Sequence, residues 1–584
     1  MSGGRRAVMG RKDGEKREYA VLSRREVEGL IADGRSIIVV DGYVLKVDAW
    51  LKYHPGGDKA ILHMIGRDAT DEVTVLHSPE AYRMMERYRI GRIQGRWNNF
   101  LPPIQGGRFR PLSSDAEHEE NNNSDEPLAA APSSHASSRS PSPPAVFDSA
   151  SGLTARRPLA ASVSSVSSSE DEPTTTTSSP SPPSDGMAHL DALTHKEITL
   201  DLAKYPALDS ATQDAIVAKY RLLHERIRAE GLFDCPYSAY AVEASRYALL
   251  FALMLVFLHW RWYALSGFFL GAFWHQLVFT AHDAGHMGIT HAFHVDTVVG
   301  IVIADFLGGL SIGWWKRSHN VHHIVTNSPE HDPDIEHMPF FAVSHRFFAG
   351  LRSTYYERAM PYDAAAKVLI RVQHYLYYVV LLLGRFNLYR LSWEYLILGQ
   401  GPRRGAAAWH RYLEIAGNLV FWYWFGYRLV YQTIDTNWHR FVFVMVSHMV
   451  TAPLHVQITL SHFAMSTADL GVVESFPQKM LRTTMDVDCP EWLDWFHGGL
   501  QFQAIHHLYP RLPRHNLRKA QRLVQEFCDE VGIPYALYGF VEGNGKVIGR
   551  LAEVARQAKV LAKCRDVVVQ EGGFMGLGHE HEHH

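Results

Sequence analysis

The sequence predicts an α-helical membrane protein with four transmembrane helices and a histidine-rich cytosolic domain, preceded by a small N-terminal α+β domain. Three observations carry this reading. Long apolar stretches occur near 250–280 and 413–462, many of the chain's 34 histidines fall in tight clusters within or beside the hydrophobic part, and short β-like runs mark a folded unit near the N-terminus. A chain of 584 residues is too long for one compact core. Its mean hydropathy of -0.15 averages a polar first third with segments apolar enough for a bilayer.

Residues 20–100 form the first predicted unit, with the runs SIIVV and YVLKV around Asp41-Gly42 and then helical stretches broken by glycines. From 111 to 190 the chain is Ser, Pro, Thr and Ala with almost no large apolar residue, a flexible tether that buries too little to offset ordering entropy. Residues 195–570 form the membrane domain, opening with a polar helical segment at 195–232 that lies at the membrane surface. Four stretches, 244–260, 262–286, 413–432 and 439–462, approach the roughly 20 apolar residues that a bilayer crossing needs. The first two, parted only around His259 to Arg261, read as a helical hairpin. A fifth stretch, 366–384, is interrupted by Lys367, Arg371, Gln373 and His374 and is assigned to the interface. Residues 490–570 are mixed in character and soluble, and the tail His579 to His584 reads as a disordered end rather than a metal site.

A net charge of -3 gives no basic excess, which argues against a nucleic-acid partner. The four cysteines, Cys235, Cys489, Cys528 and Cys564, lack paired spacing and suit a reducing, cytosol-facing body. The first thirty residues contain no apolar core of a cleaved signal, so insertion relies on internal helices.

Within the first unit, His54-Pro55-Gly56-Gly57 precedes Gly66-Arg67-Asp68-Ala69-Thr70-Asp71 and then His77-Ser78. A haem held by two neutral imidazoles needs histidines on opposed walls of an apolar cleft, and glycines where backbone approaches the porphyrin. Residues 20–95 resemble cytochrome b5, whose HPGG loop carries one axial ligand and whose later histidine carries the other. The resemblance implies haem b held by His54 and His77, with Pro55, Gly56 and Gly57 positioning the first. His63 is read as a surface histidine. Two imidazoles leave no open iron position, which favours electron transfer in this domain.

Three further clusters stand out: His282-Asp283-Ala284-Gly285-His286, His319-Asn320-Val321-His322-His323 and Gln503-Ala504-Ile505-His506-His507. Spacings of three and four place side chains on one helix face, so each box presents several imidazoles to one point. Imidazole suits iron, copper or zinc, so ligand type alone leaves the metal open. The order HxxxH, HxxHH, QxxHH, with hydrophobic spans between, resembles the membrane fatty-acyl and sphingolipid desaturases, whose boxes bind two irons that activate O2. The resemblance implies His282, His286, His319, His322, His323, Gln503, His506 and His507 as ligands and adds His462 at the end of the last span. Ile458 stands where acyl-CoA members carry a water-linked asparagine, which leaves a role for His455 or Gln457 open. His497 is a further candidate that could equally shape a substrate entrance.

Boxes sharing one metal centre must meet on one membrane face, so an even number of crossings separates the second from the third. Assigning 366–384 to the interface satisfies this and leaves four crossings, with the haem domain and all boxes in the cytosol. Among the carboxylates near the boxes, Asp283 has the best claim to orient a ligand. Glu330, Asp332, Asp334 and Glu336, with His331 and His337, read individually as a solvated acidic loop.

Removing two hydrogens from an unactivated methylene pair demands a metal centre with oxygen, and the tethered haem domain offers a high local concentration of electron donor. No GxGxxG fingerprint appears in a strand-to-helix context, so NADH is expected to act through a separate cytochrome b5 reductase. The N-terminal cytochrome b5-like unit and the glutamine of the third box resemble front-end desaturases. The run from Pro490 to Gln503, followed by HHLYPRLPRHNLR, is similar to fungal delta-8 sphingolipid desaturases, although Ala504-Ile505 replaces the usual Ile-Glu. The resemblance implies ceramide or glucosylceramide as the lipid substrate, a trans double bond at carbon 8 of its long-chain base, and residence in the endoplasmic reticulum membrane. The rival expectations are a delta-5 or delta-6 fatty-acyl desaturase, a lipid hydroxylase and a non-catalytic haem electron carrier.

Overall fold

The helix Arg24–Ala32 begins with a reciprocal cap: Ser23 Oγ accepts from the Glu26 backbone N–H at 3.3 Å, and the Glu26 carboxylate accepts from the Ser23 N–H at 2.7 Å. In the computed structural model, which describes residues 18–101 and 185–575, this helix leads into a three-stranded antiparallel sheet in the order β1 (Ile37–Val40), β2 (Tyr43–Lys46), β3 (Arg89–Arg92). Asp41-Gly42 turns the β1–β2 hairpin with φ of 50° and 71°, the left-handed pair that matches strand twist. Helices Asp58–Leu62 and Thr70–Leu76 pack beside the sheet. Most of the tether expected at 111–190, and the histidine tail, lie outside the described residues.

The chain re-enters the description as two helices, Asp185–Lys204 and Ser210–Ala229, the second capped by Asp209. Three helices are then long and apolar enough to cross a membrane: Tyr237–His259, Tyr263–Gly285 and Asn437–Phe463. The first two form the expected hairpin across Trp260 to Trp262. The expected span at 413–432 is helical, His410–Phe421 running into a π-helical stretch, Trp422–Thr433, but is not one of the three. Glu414 and Arg428 interrupt its apolar character, and Arg411 lies just before it. Two bent pairs raise the count to as many as five if each is one span. One pair, Ala364–Leu382 with Gly384–Leu398, contains the stretch assigned to the interface and bends by 68°; the other, Phe293–Leu307 with Ile312–Val325, bends by 118°. The described protein is mostly helical and apolar helices make its body, while the fourfold count stays an expectation.

The first unit is not free of the rest. Ile38, Val40, Leu45, Val47, Ala60, Met64 and Val73 share one buried cluster with Val321, Ile324 and Val325 of the Ile312–Val325 helix and with Tyr355. Continuous burial of this kind favours a fixed docking.

The C-terminal part is tied to the membrane hairpin by one buried cation. Arg514 donates to the Phe279 carbonyl and Thr280 Oγ1, each at 3.1 Å, and pairs with Asp283 and Glu243. Each of these charged residues is 9% exposed or less. Asp283 also accepts from the Tyr240 hydroxyl. We predict that Arg514→Met, which strands two buried carboxylates, lowers stability by about 3–5 kcal/mol, measured by thermal unfolding in detergent.

Candidate metal centre and haem site

Each box sits at or near a helix end, where rigid backbone delivers side chains to a common volume. His282 lies in the last turn of Tyr263–Gly285 and His286 caps it. The second box occupies the C-terminal half of Ile312–Val325, His462 closes Ala452–Phe463, and His506 and His507 lie on Gln503–Leu508. The ligand atoms of His282, His286, His319 and His506 lie within 4.8 Å of one another, and so do those of His322, His462 and His507. His323 stands between the groups, its ring centroid 4.3 Å from that of His507 and 4.9 Å from that of His286.

The imidazoles are buried with nitrogens left bare. His286 Nε2, His506 Nε2, His507 Nε2, His323 Nδ1 and His462 Nδ1 have no hydrogen-bond partner. Each such atom costs about 1–3 kcal/mol unless something binds it, so five in one volume fit a pair of metal ions. Burial, with the neighbouring imidazoles, holds His506 and His507 well below the ordinary histidine range, in the neutral form that binds metal.

The orienting carboxylate is Asp332, not Asp283. His322 Nδ1 donates to Asp332 at 2.8 Å, and the same fully buried carboxylate accepts from the Asn327 backbone N–H at 2.7 Å and the Asp334 N–H at 2.9 Å. Asp334 lies 3.4 Å from His319 Nδ1 and shares a potential cation group with His319 and His322. Asp283 is committed to Arg514 and Tyr240. The loop read as solvated is thus folded inward. Asn327 locks it by donating to the carbonyls of His462 at 2.8 Å and Thr483 at 3.2 Å. Trp315, which spacing does not flag, stacks on His319 at 4.5 Å. A Cβ on Gly285 would lie 2.2 Å from that indole, so this box requires glycine there.

Gln503 is buried one turn before His506, at the start of the same helix. His455 and His497 join none of the donor groups among the described residues. His497 instead sits 6.0 Å from the Phe540 ring. Both side-chain polar atoms of Gln457 are buried and unpartnered. His331 bonds Thr354 at 3.0 Å, away from the donor groups.

In the first unit the His54 and His77 rings face each other with centroids 5.8 Å apart. Two imidazoles bound at ~2 Å on opposite sides of one metal need roughly this separation. His54 Nδ1 donates to the Gly57 carbonyl at 2.6 Å and His77 Nδ1 to the Val73 carbonyl at 3.0 Å, leaving both Nε2 atoms as lone-pair donors. Burial, reinforced by His54, pushes His77 down to about 3, so it is neutral at physiological pH. These residues fit a haem. His63 is not on the surface: it is fully buried, bonded to the Lys59 carbonyl at 2.7 Å and to Thr354 Oγ1 at 2.8 Å.

A membrane helix assembly that gathers eight imidazoles around bare nitrogens, joined to a facing-histidine module, defines a membrane oxidoreductase with a fused electron-carrier domain. The chain belongs to the fatty acid desaturase family, whose model matches residues 258–539, and residues 23–94 match the cytochrome b5-like haem/steroid binding domain. It is similar to the Delta 8-(E)-sphingolipid desaturase of Emericella nidulans, at 61% identity over 95% of this chain and 98% of that protein. The Delta 8-(E)-sphingolipid desaturase of Kluyveromyces lactis is 48% identical over 94% of this chain and 95% of its own length. A plant relative, the Delta(8)-fatty-acid desaturase 2 of Arabidopsis thaliana, is 38% identical over 58% of this chain and 75% of its own.

Asp332→Asn removes the charge behind His322. We predict a loss of about 10–100-fold in affinity for the ions at the histidine boxes, read as non-haem iron content during chelator titration, with the haem spectrum unchanged.

Proposed function

We propose that this protein is a sphingolipid desaturase that inserts a trans double bond at carbon 8 of the long-chain base of ceramide or glucosylceramide. The observation that carries the reading is the convergence of imidazoles from all three boxes and His462 into two adjacent donor groups. The relatives' names support the sphingolipid class, the bond position and its E geometry. His282, His286, His319 and His506 would hold one iron, and His322, His462 and His507 the other, with His323 between them and Gln503 completing the set. His54 and His77 would hold haem b. When bound, the irons supply the oxygen-dependent oxidising power that side chains lack, with electrons from NADH arriving through a cytochrome b5 reductase and the haem.

The chain's own residues prepare that chemistry. Asp332 keeps the His322 proton on Nδ1, so Nε2 is the atom free to bind. The stacked Trp315 and the burial of His322, His323, His506 and His507, each 4% exposed or less, exclude water that would quench an oxidant. The lipid approaches from the bilayer, and the metal boxes and haem module share the cytosolic face of the endoplasmic reticulum membrane, the arrangement electron delivery requires.

Expression in a host lacking both product classes, followed by analysis of long-chain bases beside fatty acids, tests this. We expect 8-trans-unsaturated long-chain bases; unsaturation in fatty acids alone points to the acyl-lipid reading, and hydroxylated bases without alkene to a hydroxylase. His54→Ala is expected to abolish self-sufficient turnover while non-haem iron remains, and His506→Ala to abolish product while the haem spectrum persists. A protein with iron only in haem would reduce the chain to an electron carrier.

A further inference from the structure

Residues beside the second and third boxes reach directly into the haem module. Asn320, which follows His319, donates from Nδ2 to the Gly56 carbonyl at 3.2 Å. Arg511, four residues beyond His507, donates from Nη1 to the carbonyl of His77 itself at 2.8 Å. One contact therefore meets the loop of each facing histidine, and both start within four residues of a box histidine.

Packing around the first contact is close. A Cβ on Gly56 would lie 2.7 Å from Asn320 Nδ2 and 3.0 Å from His54 Cε1, so the carboxamide and the imidazole edge crowd the same point. A Cβ on Gly57, where φ is +89°, would lie 2.8 Å from Arg317 Cγ. The glycines thus make room for the Ile312–Val325 helix. Ion pairs frame the contact, Arg317 with Asp58 at 3.1 Å, Arg221 with Asp71 at 2.8 Å, and Lys59 with Glu357.

We infer that Asn320 and Arg511 are positioning residues that couple the haem module electronically to the metal pair, Asn320 from the His54 side and Arg511 from the His77 side. The inference rests on the proposed reading that both haem and irons are present. Each transfer moves one electron: a ferrous haem becomes ferric and one ferric ion of the pair becomes ferrous, with no bond made or broken. Two transfers serve one turnover, and the reductant is the nicotinamide-linked reductase already named. Hydrogen bonds bridge the gap with short links in place of longer jumps through space, which is why two of them, adjacent to ligands, matter more than the ion pairs around them.

The test uses the full-length protein in detergent. The haem is reduced anaerobically through NADH and the reductase, the sample is mixed with oxygenated buffer and substrate, and haem reoxidation is followed by stopped-flow absorbance. Asn320→Leu and Arg511→Gln are each expected to slow reoxidation by about tenfold or more. Haem reduction rate, haem spectrum and non-haem iron content should stay at wild-type values. A single turnover started by chemical reduction of the irons should give wild-type product yield in both variants. Lys59→Gln, which removes an ion pair of the same interface, should slow reoxidation by less than about fivefold.

Wild-type reoxidation in both variants with iron and haem retained overturns the inference, and so does an equal slowing in Lys59→Gln, which would assign the effect to docking. If Asn320→Leu loses iron, Arg511→Gln decides the matter. A wild-type protein without non-haem iron would instead defeat the metal reading itself.

Discussion

Buried imidazole nitrogens with nothing to bond are the constraint around which this molecule is arranged. No single helix could hold such a group, because each box offers two or three donors along one face and the two donor groups draw on four separate segments. The segments must therefore end at one level and stay there. Arg514 fixes the hairpin end that carries His282 and His286 against the C-terminal part, and Asn327 fixes the loop after the second box against the end of the helix carrying His462. A buried ion pair such as that of Arg514 stabilises only while its carboxylates stay paired, so that lock is also a specification of geometry.

The same logic extends to the N-terminal module. Its apolar cluster runs without a break into the helix that carries the second box, so that helix serves two masters: one face delivers His319, His322 and His323, and another supports the HPGG loop through Arg317 and Asn320. A module that only diffused on a tether would need no such shared core. Apolar burial of this extent, backed by ion pairs, favours the docked arrangement whatever length of chain joins the two parts.

Local patterns made much of this legible. The hairpin at Asp41-Gly42 follows from turn chemistry and the clustering within each box from spacings of three and four, which a single helix or loop decides, while the pairing of His54 with His77 rests on the resemblance to cytochrome b5. What could not be read depends on pairing across the chain. Asp283 looks like an orienting carboxylate because it lies between two histidines, yet helix geometry turns it away from them toward Arg514, 231 positions later. Asp332 looks solvated because its neighbours are polar, yet it is fully buried because His322 and Asn327 supply donors. His63 looks like a surface histidine because it sits in a helical run after the loop, yet it is buried against Thr354, 291 positions away. The glycines of the HPGG loop were read as room for a porphyrin, and a helix crowds them as well. Span counting suffered differently: helix formation at 413–432 is local, but whether its two charges, Glu414 and Arg428, are buried among other helices is not.

The departure at the third box shows how such long-range pairing can compensate for a local change. Where the family pattern carries an acidic residue, Ile505 is fully buried in an apolar cluster with Tyr220, Leu508 and Phe527. A carboxylate there would have to be desolvated at a cost of several kcal/mol. The helix nevertheless keeps an acidic partner, because Asp486, from a short strand paired with Leu537–Gly539, accepts from the Ala504 backbone N–H at 2.8 Å and from Gln521 at 3.1 Å. The carboxylate satisfies one of the N–H groups that a helix start leaves without an intrahelical partner. Anchoring of His506 and His507 therefore does not depend on the residue between Gln503 and His506 being acidic. It depends on a strand that the box sequence does not contain.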